Sequence, residues 1–203
     1  MIIYFLKYYD KLLIALLEHL EIVLITIIIS LILAMILTVF VQLSKIISTI
    51  LTGFFSMIYS IPSLALFSLL IPITGLGKDT AIIVLVLYNQ YILLRNFIAG
   101  LDNVDENIIE AAKGMGMSNM QMLIKVKIPL AKKSLFTGIR LAVVSTIGIA
   151  TIGALINAGG LGTILFDGLR TMNVNKILWG SILSAGLALF ADKILQKIEN
   201  KSF

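Results

Sequence analysis

Apolar positions along this chain come in long uninterrupted runs, not in the alternating pattern of a half-buried surface. Ile22–Val41 holds 20 residues without a charge, Ile46–Gly77 holds 32 and Leu141–Phe166 holds 26. At about 1.5 Å of rise per residue, a helix of about 20 residues crosses the roughly 30 Å hydrocarbon core of a bilayer. The pattern predicts five spans: Ile22–Val41, a second from about Ile46 into the 60s and 70s, then Thr80–Leu94, Leu135–Ile156 and Ile177–Ala191. The run from Ile46 to Gly77 is too long for one untilted crossing, and Pro62 and Pro72 each remove a backbone donor within it. It reads as a bent helix, or as a short surface helix followed by a span that starts near Pro62. The third and fifth spans have charge-free cores of only 15 residues, so neighbouring helices must shield their ends. The predicted fold is an all-α polytopic membrane helical bundle, a single domain over 1–203.

Composition agrees with that reading. Hydrophobic residues make up 59% of the chain and charged residues 13%, against about 45–50% and 25% in soluble domains. No polar stretch is long enough to fold as a soluble catalytic domain. Cysteine is absent, which excludes disulfides, thiolate metal sites and cysteine nucleophiles. Lys7, Asp10, Lys11, Glu18 and Glu21 break up the first 21 residues, so no cleavable signal peptide is expected and this segment is read as preceding the first span. His19, between Glu18 and Glu21, reads as a solvated interfacial residue. The net charge of +5 matters through its distribution, and nucleic acid is not an expected partner. With the segment between Arg95 and Ser134 in the cytoplasm, ten Lys and Arg fall inside and five outside, with Arg140 within the fourth span. The positive-inside rule therefore places the N-terminus outside and the C-terminus in the cytoplasm.

The loop 101–133 is the most polar stretch. Asn103-Val104-Asp105-Glu106 reads as a capping box with Asn103 as N-cap. Val104, Ile108, Ala111, Ala112 and Met115 then share a helical face. Gly114 and Gly116 end that helix, because glycine accepts left-handed backbone angles. Ser118-Asn119-Met120-Gln121 reads as a second capping box, followed by Met120, Leu123, Ile124 and Ile128 on one face. Pro129 stops this helix or starts the next. The loop is thus predicted to be two short amphipathic helices joined at a tight glycine turn.

Glu110-Ala111-Ala112, three residues, Gly116, nine residues, Val126, one residue, Ile128-Pro129 resembles the EAA loop of ABC importer permeases. Val126 stands where that family has isoleucine, and Ile128 where it has leucine. The resemblance implies that Glu110, Ala111, Ala112, Gly116, Val126, Ile128 and Pro129 form a coupling element that docks on a separate ATP-binding subunit. Ser60 to Leu66, Leu94-Arg95-Asn96 and Ala158 to Gly162 are similar to the branch that imports the quaternary-amine osmoprotectants glycine betaine, carnitine and choline. Importers of ergothioneine look similar in this region, and an amino acid is a further substrate class for such a permease. Some members carry a fused substrate-binding domain, and none is expected here. The implied partners are the ATPase, a second permease subunit (identical or similar), an extracellular or periplasmic binding protein, and the lipid of a bacterial cytoplasmic membrane. No cofactor is expected in this chain, with ATP and Mg on the partner. No catalytic or metal-ligating residue is expected either. A stand-alone secondary carrier or channel fits less well, since five spans show no inverted repeat and no carboxylates suited to proton coupling. An integral-membrane enzyme lacks its motifs.

Several residues carry two readings. Met115, Met117, Met120 and Met122 suit a soft copper ion or an adaptable docking surface. Arg140 is a pathway charge, or snorkels to the interface. Tyr59, Ser60, Asn89 and Asn157 are candidates to line a pathway, or hydrogen-bond between helices. Tyr88, Asn89, Gln90 and Tyr91 are consecutive, so they cannot all face one pore. The Ala158–Gly162 segment lacks the Lys-Ser/Thr of a phosphate loop and is expected to be a tight turn or a re-entrant segment.

Overall fold

A computed structural model describes residues 2–202; Met1 and Phe203, which the expected domain includes, lie outside the described residues. Nine α-helices are described: α1 (Ile2–Leu43), α2 (Lys45–Ser60), α3 (Ser63–Thr74), α4 (Lys78–Asp102), α5 (Glu106–Gly114), α6 (Asn119–Met122), α7 (Ile128–Ala150), α8 (Leu161–Arg170) and α9 (Val174–Ser202). A π turn, Leu123–Lys127, joins α6 to α7, and a 3₁₀ turn, Ile152–Ile156, follows α7. The protein is an all-helical membrane bundle.

The first helix is far longer than the expected Ile22–Val41. It runs over 42 residues with one non-helical kink at Tyr8, about 63 Å of helix. Its buried positions explain why. Leu12, Ala15, His19, Ile22, Thr26, Ser30, Ala34, Thr38 and Val41 are all buried and recur every three or four residues. Where the seam narrows to Thr26, Ser30, Ala34 and Thr38, small side chains four residues apart let α4 and α7 approach closely. The segment before Ile22 belongs to the same stripe: Lys7, Asp10, Lys11 and Glu21 are exposed, Glu18 is half-buried and His19 turns inward. The solvated reading of His19 is thereby corrected: it is fully buried, and its Nε2 lies 3.1 Å from the Ile147 carbonyl oxygen.

Three contacts fix the topology. Lys78 at the start of α4 pairs with Glu21 of α1 at 2.7 Å. At the other end, Gln42 of α1 donates to Asp102 at 3.4 Å and accepts from Lys127 at 2.8 Å. From Glu21 onward α1 therefore runs parallel to α4, and α2 with α3 must carry the chain back between them. The pair is bent by 101° at its break. The break falls at Ile61-Pro62, since Pro62 pushes its predecessor out of the helical region: Ile61 has φ −74° and ψ 131°. A freed carbonyl inside a membrane needs a partner, and the Tyr88 hydroxyl of α4 donates to Ile61 O. Pro72 is accommodated within α3. Among the described residues α1, α4, the α6–α7 rod and α9 are each long and apolar enough to cross a membrane, and the bent α2–α3 pair counted as one span makes five.

The later spans differ from expectation at their ends. The third extends to Lys78–Asp102 because Glu21 and Gln42 satisfy its terminal charges. The fourth stops at Ala150, where the 3₁₀ turn begins. The fifth reaches Val174–Ser202, and its Asp192 and Glu199 pair with Arg140 of α7. Arg140 therefore does not snorkel. Its Nη1 lies 3.2 Å from Glu199 and its Nη2 3.3 Å from Asp192, while Thr137 donates to Glu199 at 3.2 Å. Glycines set the closest helix contacts. A Cβ on Gly138 of α7 would stand 2.7 Å from the Asn96 Cβ of α4, and one on Gly100 would stand 2.6 Å from the Ser134 Cβ.

Candidate functional site

The loop between α4 and α7 is built as a rigid hairpin. Asn103 closes α4, its N–H bonding Ala99 O, so the expected box with Asn103 as N-cap does not form. Asp105 is the N-cap instead, its carboxylate accepting from the Asn107 N–H at 2.9 Å. The chain leaves α5 through a Schellman arrangement: Met117 N–H donates to Ala112 O at 3.1 Å and Gly116 N–H to Lys113 O at 2.9 Å. Gly116 supplies the left-handed angle, φ +77°, and its missing side chain faces open space. The second capping box forms as expected, with Gln121 N–H to Ser118 Oγ at 3.3 Å and Ser118 N–H to Gln121 Oε1 at 2.9 Å. From Asn119 the helix continues to Ala150 as a 32-residue rod. Ile128 N–H reaches back five residues to Leu123 O, and Pro129 falls in the first turn after this wide turn.

The rod and hairpin sort the seven loop residues into two groups. Glu110, Ala111, Gly116, Ile128 and Pro129 are exposed, Val126 is half-buried and Ala112 is buried against the protein's own interior. The face expected from Val104 to Met115 is thus divided: Ala112 turns inward, while Ile108 and Met115 stay outside. On the second helix Met122 and Leu123 are buried, whereas Met120, Ile124 and Ile128 are exposed. An apolar strip therefore remains uncovered on both arms. The expected faces differ because Ala112 alone holds the first helix and Met122 with Leu123 the second, which sequence spacing alone does not identify.

The four pathway candidates do not form one cluster. Tyr59 and Ser60 lie at the break of the second span and are exposed. Ser60 Oγ donates to Ser56 O at 2.9 Å, and the Tyr59 ring packs against Tyr91 with centroids 4.8 Å apart and against the edge of Tyr88 at 5.5 Å. Asn89 is buried where α1, α4 and α7 meet, with Nδ2 2.9 Å from Thr146 Oγ1 and 3.3 Å from Ser30 Oγ. Asn157 is exposed, left-handed at φ 63°, and ends the 3₁₀ turn.

At the end opposite the loop, Ala158–Gly162 is a tight turn into α8. Gly159 and Gly160 have φ of +87° and +79°, and Glu18 Oε2 accepts the Gly160 N–H at 2.9 Å. That donor is engaged by a carboxylate, so the turn is a packing device and not an anion cradle. A Cβ on Gly162 would fall within 1.9 Å of the Thr151 carbonyl oxygen. Asp167 of α8 pairs with Lys176 and, at 3.0 Å, with Arg170. These two cations hold its carboxyl below the usual carboxylate range.

An all-helical bundle of several long apolar helices, with a two-helix hairpin exposed at one end, defines a multi-pass membrane protein. Residues 26–200 match the binding-protein-dependent transport system inner membrane components. The chain belongs to that family. It is 35% identical over 189 residues to the carnitine transport permease protein of Listeria monocytogenes, covering 93% of this chain and 87% of that one. It is 34% identical over 191 residues to the choline transport system permease protein of Bacillus subtilis, covering 94% and 88%. A combined ergothioneine transport permease and binding protein of Helicobacter pylori is 39% identical over 147 residues, 72% of this chain and 27% of that protein. The fold matches a methionine ABC transporter solved in an inward-facing form, with a TM-score of 0.85 at 21% identity over 95% of this chain and 97% of that one.

Proposed function

We propose that this chain is the permease subunit of an ATP-driven importer for quaternary-amine osmoprotectants such as glycine betaine, carnitine and choline. Two permease subunits, identical or similar, enclose the pathway in the bacterial cytoplasmic membrane. A separate ATPase subunit binds ATP and Mg, and an extracellular or periplasmic binding protein delivers the substrate. Relatives named for carnitine and choline that align along nine-tenths of the chain support the substrate class. The N-terminus lies outside and the C-terminus inside, in keeping with the charge bias of the loops.

The observation that carries the coupling role is the uncovered apolar strip on a hairpin continuous with a span. Ile108, Met115 and Met120 are exposed, and the helix runs on from Asn119 through the π turn to Ala150. When the ATPase pair closes on ATP, the docked hairpin moves and α7 moves with it. Arg140 carries that motion to α9 through Asp192 and Glu199. Of the seven loop residues, Glu110, Ala111, Gly116, Ile128 and Pro129 face the ATPase, while Ala112 and Val126 anchor the hairpin to the bundle. Of the pathway candidates, Tyr59 and Ser60 face the substrate route, Asn157 lies at its outer mouth, and Asn89 braces the helices around it.

Uptake by the complex reconstituted with its ATPase and binding protein tests this reading, with glycine betaine, carnitine, choline and ergothioneine as separate substrates. ATP-dependent uptake of at least one quaternary amine is expected. Uptake of ergothioneine alone, which the Helicobacter relative makes the second reading, would replace the substrate class. Flux through the lone permease without ATP would point to a carrier or channel.

A further inference from the structure

Among the described residues five glycines and Asn157 hold positive φ angles, and the remaining such position is Met172, at φ +50°. A left-handed backbone suits glycine and asparagine and strains other residues through their Cβ. The place of Met172 in the fold explains the angle but not the residue. Helix α8 ends in a Schellman arrangement, with Asn173 N–H donating to Gly168 O at 2.8 Å and Met172 N–H to Leu169 O at 3.3 Å. Asn173 then caps α9, its Oδ1 accepting from Lys176 N–H at 3.3 Å. Such a corner needs a left-handed residue at position 172, and glycine, as at Gly116, would fill it without strain. Methionine gains no packing in return, since Met172 is 84% exposed.

The corner is a rigid mount on the outer side. A Cβ on Gly168 would stand 2.7 Å from Ile177 N, and one on Gly180 would stand 2.9 Å from Leu165 Cα, so α8 and α9 are in close contact. Asp167 ties Arg170 to Lys176 across the corner. Leu169 and Val174 flank Met172 and are exposed as well. The Arg170 side chain, 82% exposed, marks the corner as lying in water and not in lipid. Beside it a groove of about 670 Å³ is lined by Lys7, Lys11, Asn173 and Lys176. Lys176 is paired with Asp167, whereas among the described residues no carboxylate lies within ion-pair distance of Lys7 or Lys11. An apolar knob thus stands next to a basic groove.

We propose that the α8–α9 corner is the docking knob for the binding protein, with Met172 entering an apolar recess on that protein and Lys7 and Lys11 meeting carboxylates at its rim. The proposal rests on the importer reading above, which places this corner outside, where a binding-protein-dependent permease receives a soluble partner. The knob and the groove supply the two kinds of contact such an interface uses: an apolar anchor, and rim charges that steer the encounter. An unbranched thioether adapts to the recess it enters, and a rigid corner loses little freedom on docking.

The test is association of the importer's purified binding protein with the permease–ATPase complex in lipid nanodiscs, followed by biolayer interferometry. Met172→Gly is expected to weaken association about tenfold, the loss of one buried apolar anchor, and Met172→Leu to keep most of it. The thermal midpoint separates docking from folding: Met172→Gly should leave it at or above the wild-type value, because the strain is relieved. Lys7→Gln combined with Lys11→Gln should slow association about threefold at low salt and flatten its salt dependence. Wild-type affinity in Met172→Gly, or a lowered midpoint, overturns the proposal. A change in the mass of the permease dimer in Met172→Gly overturns it in favour of a second copy as the occupant. Failure of Met172→Cys to be labelled from outside by an impermeant thiol reagent overturns it in favour of lipid. Uptake by the complete wild-type importer separates the two levels. Uptake together with docking that ignores Met172 removes the knob alone, whereas no ATP-dependent uptake of any substrate removes the importer reading as well.

Discussion

Gly116 shows how one residue's backbone can matter where its side chain meets nothing. Its φ of +77° is one that branched side chains resist, and no atom lies within 4 Å of an added Cβ. Gly116→Val should therefore strain the turn by about 1–2 kcal/mol through the backbone alone. Gly116→Asn, which tolerates the left-handed region, should cost less. Co-purification of the ATPase and ATP-driven uptake should both fall for valine and be largely kept for asparagine. Equal behaviour of the two variants would mean that the turn angle is not what the ATPase reads. Ala111 and Ala112 divide in the same way. Ala111→Asp on the exposed face should impair docking with little effect on stability, whereas Ala112→Asp places an unpaired charge in the interior and should lower expression of folded protein.

At the scale of elements, helix contacts depend on small residues and on a few polar clamps. Gly138 and Asn96 hold α7 on α4, and Gly138→Leu forces the helices apart where a Cβ already has 2.7 Å. Overpacking of this kind costs about 1–3 kcal/mol, read as a lower thermal midpoint in detergent. Gly148, where nothing lies within 4 Å, is the matched site at which the same change should do little. The junction of α8 and α9 carries a pH dependence. The Asp167 carboxyl is held low by Lys176 and Arg170. The pair's contribution is thus complete above the ordinary carboxylate pKa and is lost as pH falls through the lower folded value. Fluorescence of Trp179, the single tryptophan, which packs on Phe5 at 5.0 Å, should stay constant through mild acid and change below it. Asp167→Asn should remove that transition. The effect should be small because the side chains are partly exposed.

An odd number of crossings puts the two ends of a chain on opposite sides of the membrane. With no native cysteine, single cysteines report the orientation directly. Asn119→Cys on the hairpin should be shielded from an impermeant thiol reagent in intact cells, and Asn173→Cys before α9 should be labelled. The reverse pattern would move the hairpin to the wrong side for an ATPase.

The sequence by itself determined the class, the proline break and the hairpin with its glycine turn and second capping box. Each is a local property: the length of an apolar run, a missing backbone donor, a left-handed angle, a side chain bonding its own backbone three residues away. The stripe from Leu12 to Val41 has the same helical period throughout, and the charges before Ile22 fall between its positions. Only the tertiary structure decided which of these residues face inward. His19 reads as interfacial, and Arg140 as a pathway charge or a snorkelling one, because a charge is expensive in a membrane. They lie within the bundle because partners distant in the chain, Ile147 for the histidine and two α9 carboxylates for the arginine, satisfy them there. For the same reason Asn89 is a brace and Tyr59 is not. Three helices converge on Asn89, and none covers the outer face of Tyr59, a difference of packing that no spacing along one helix encodes.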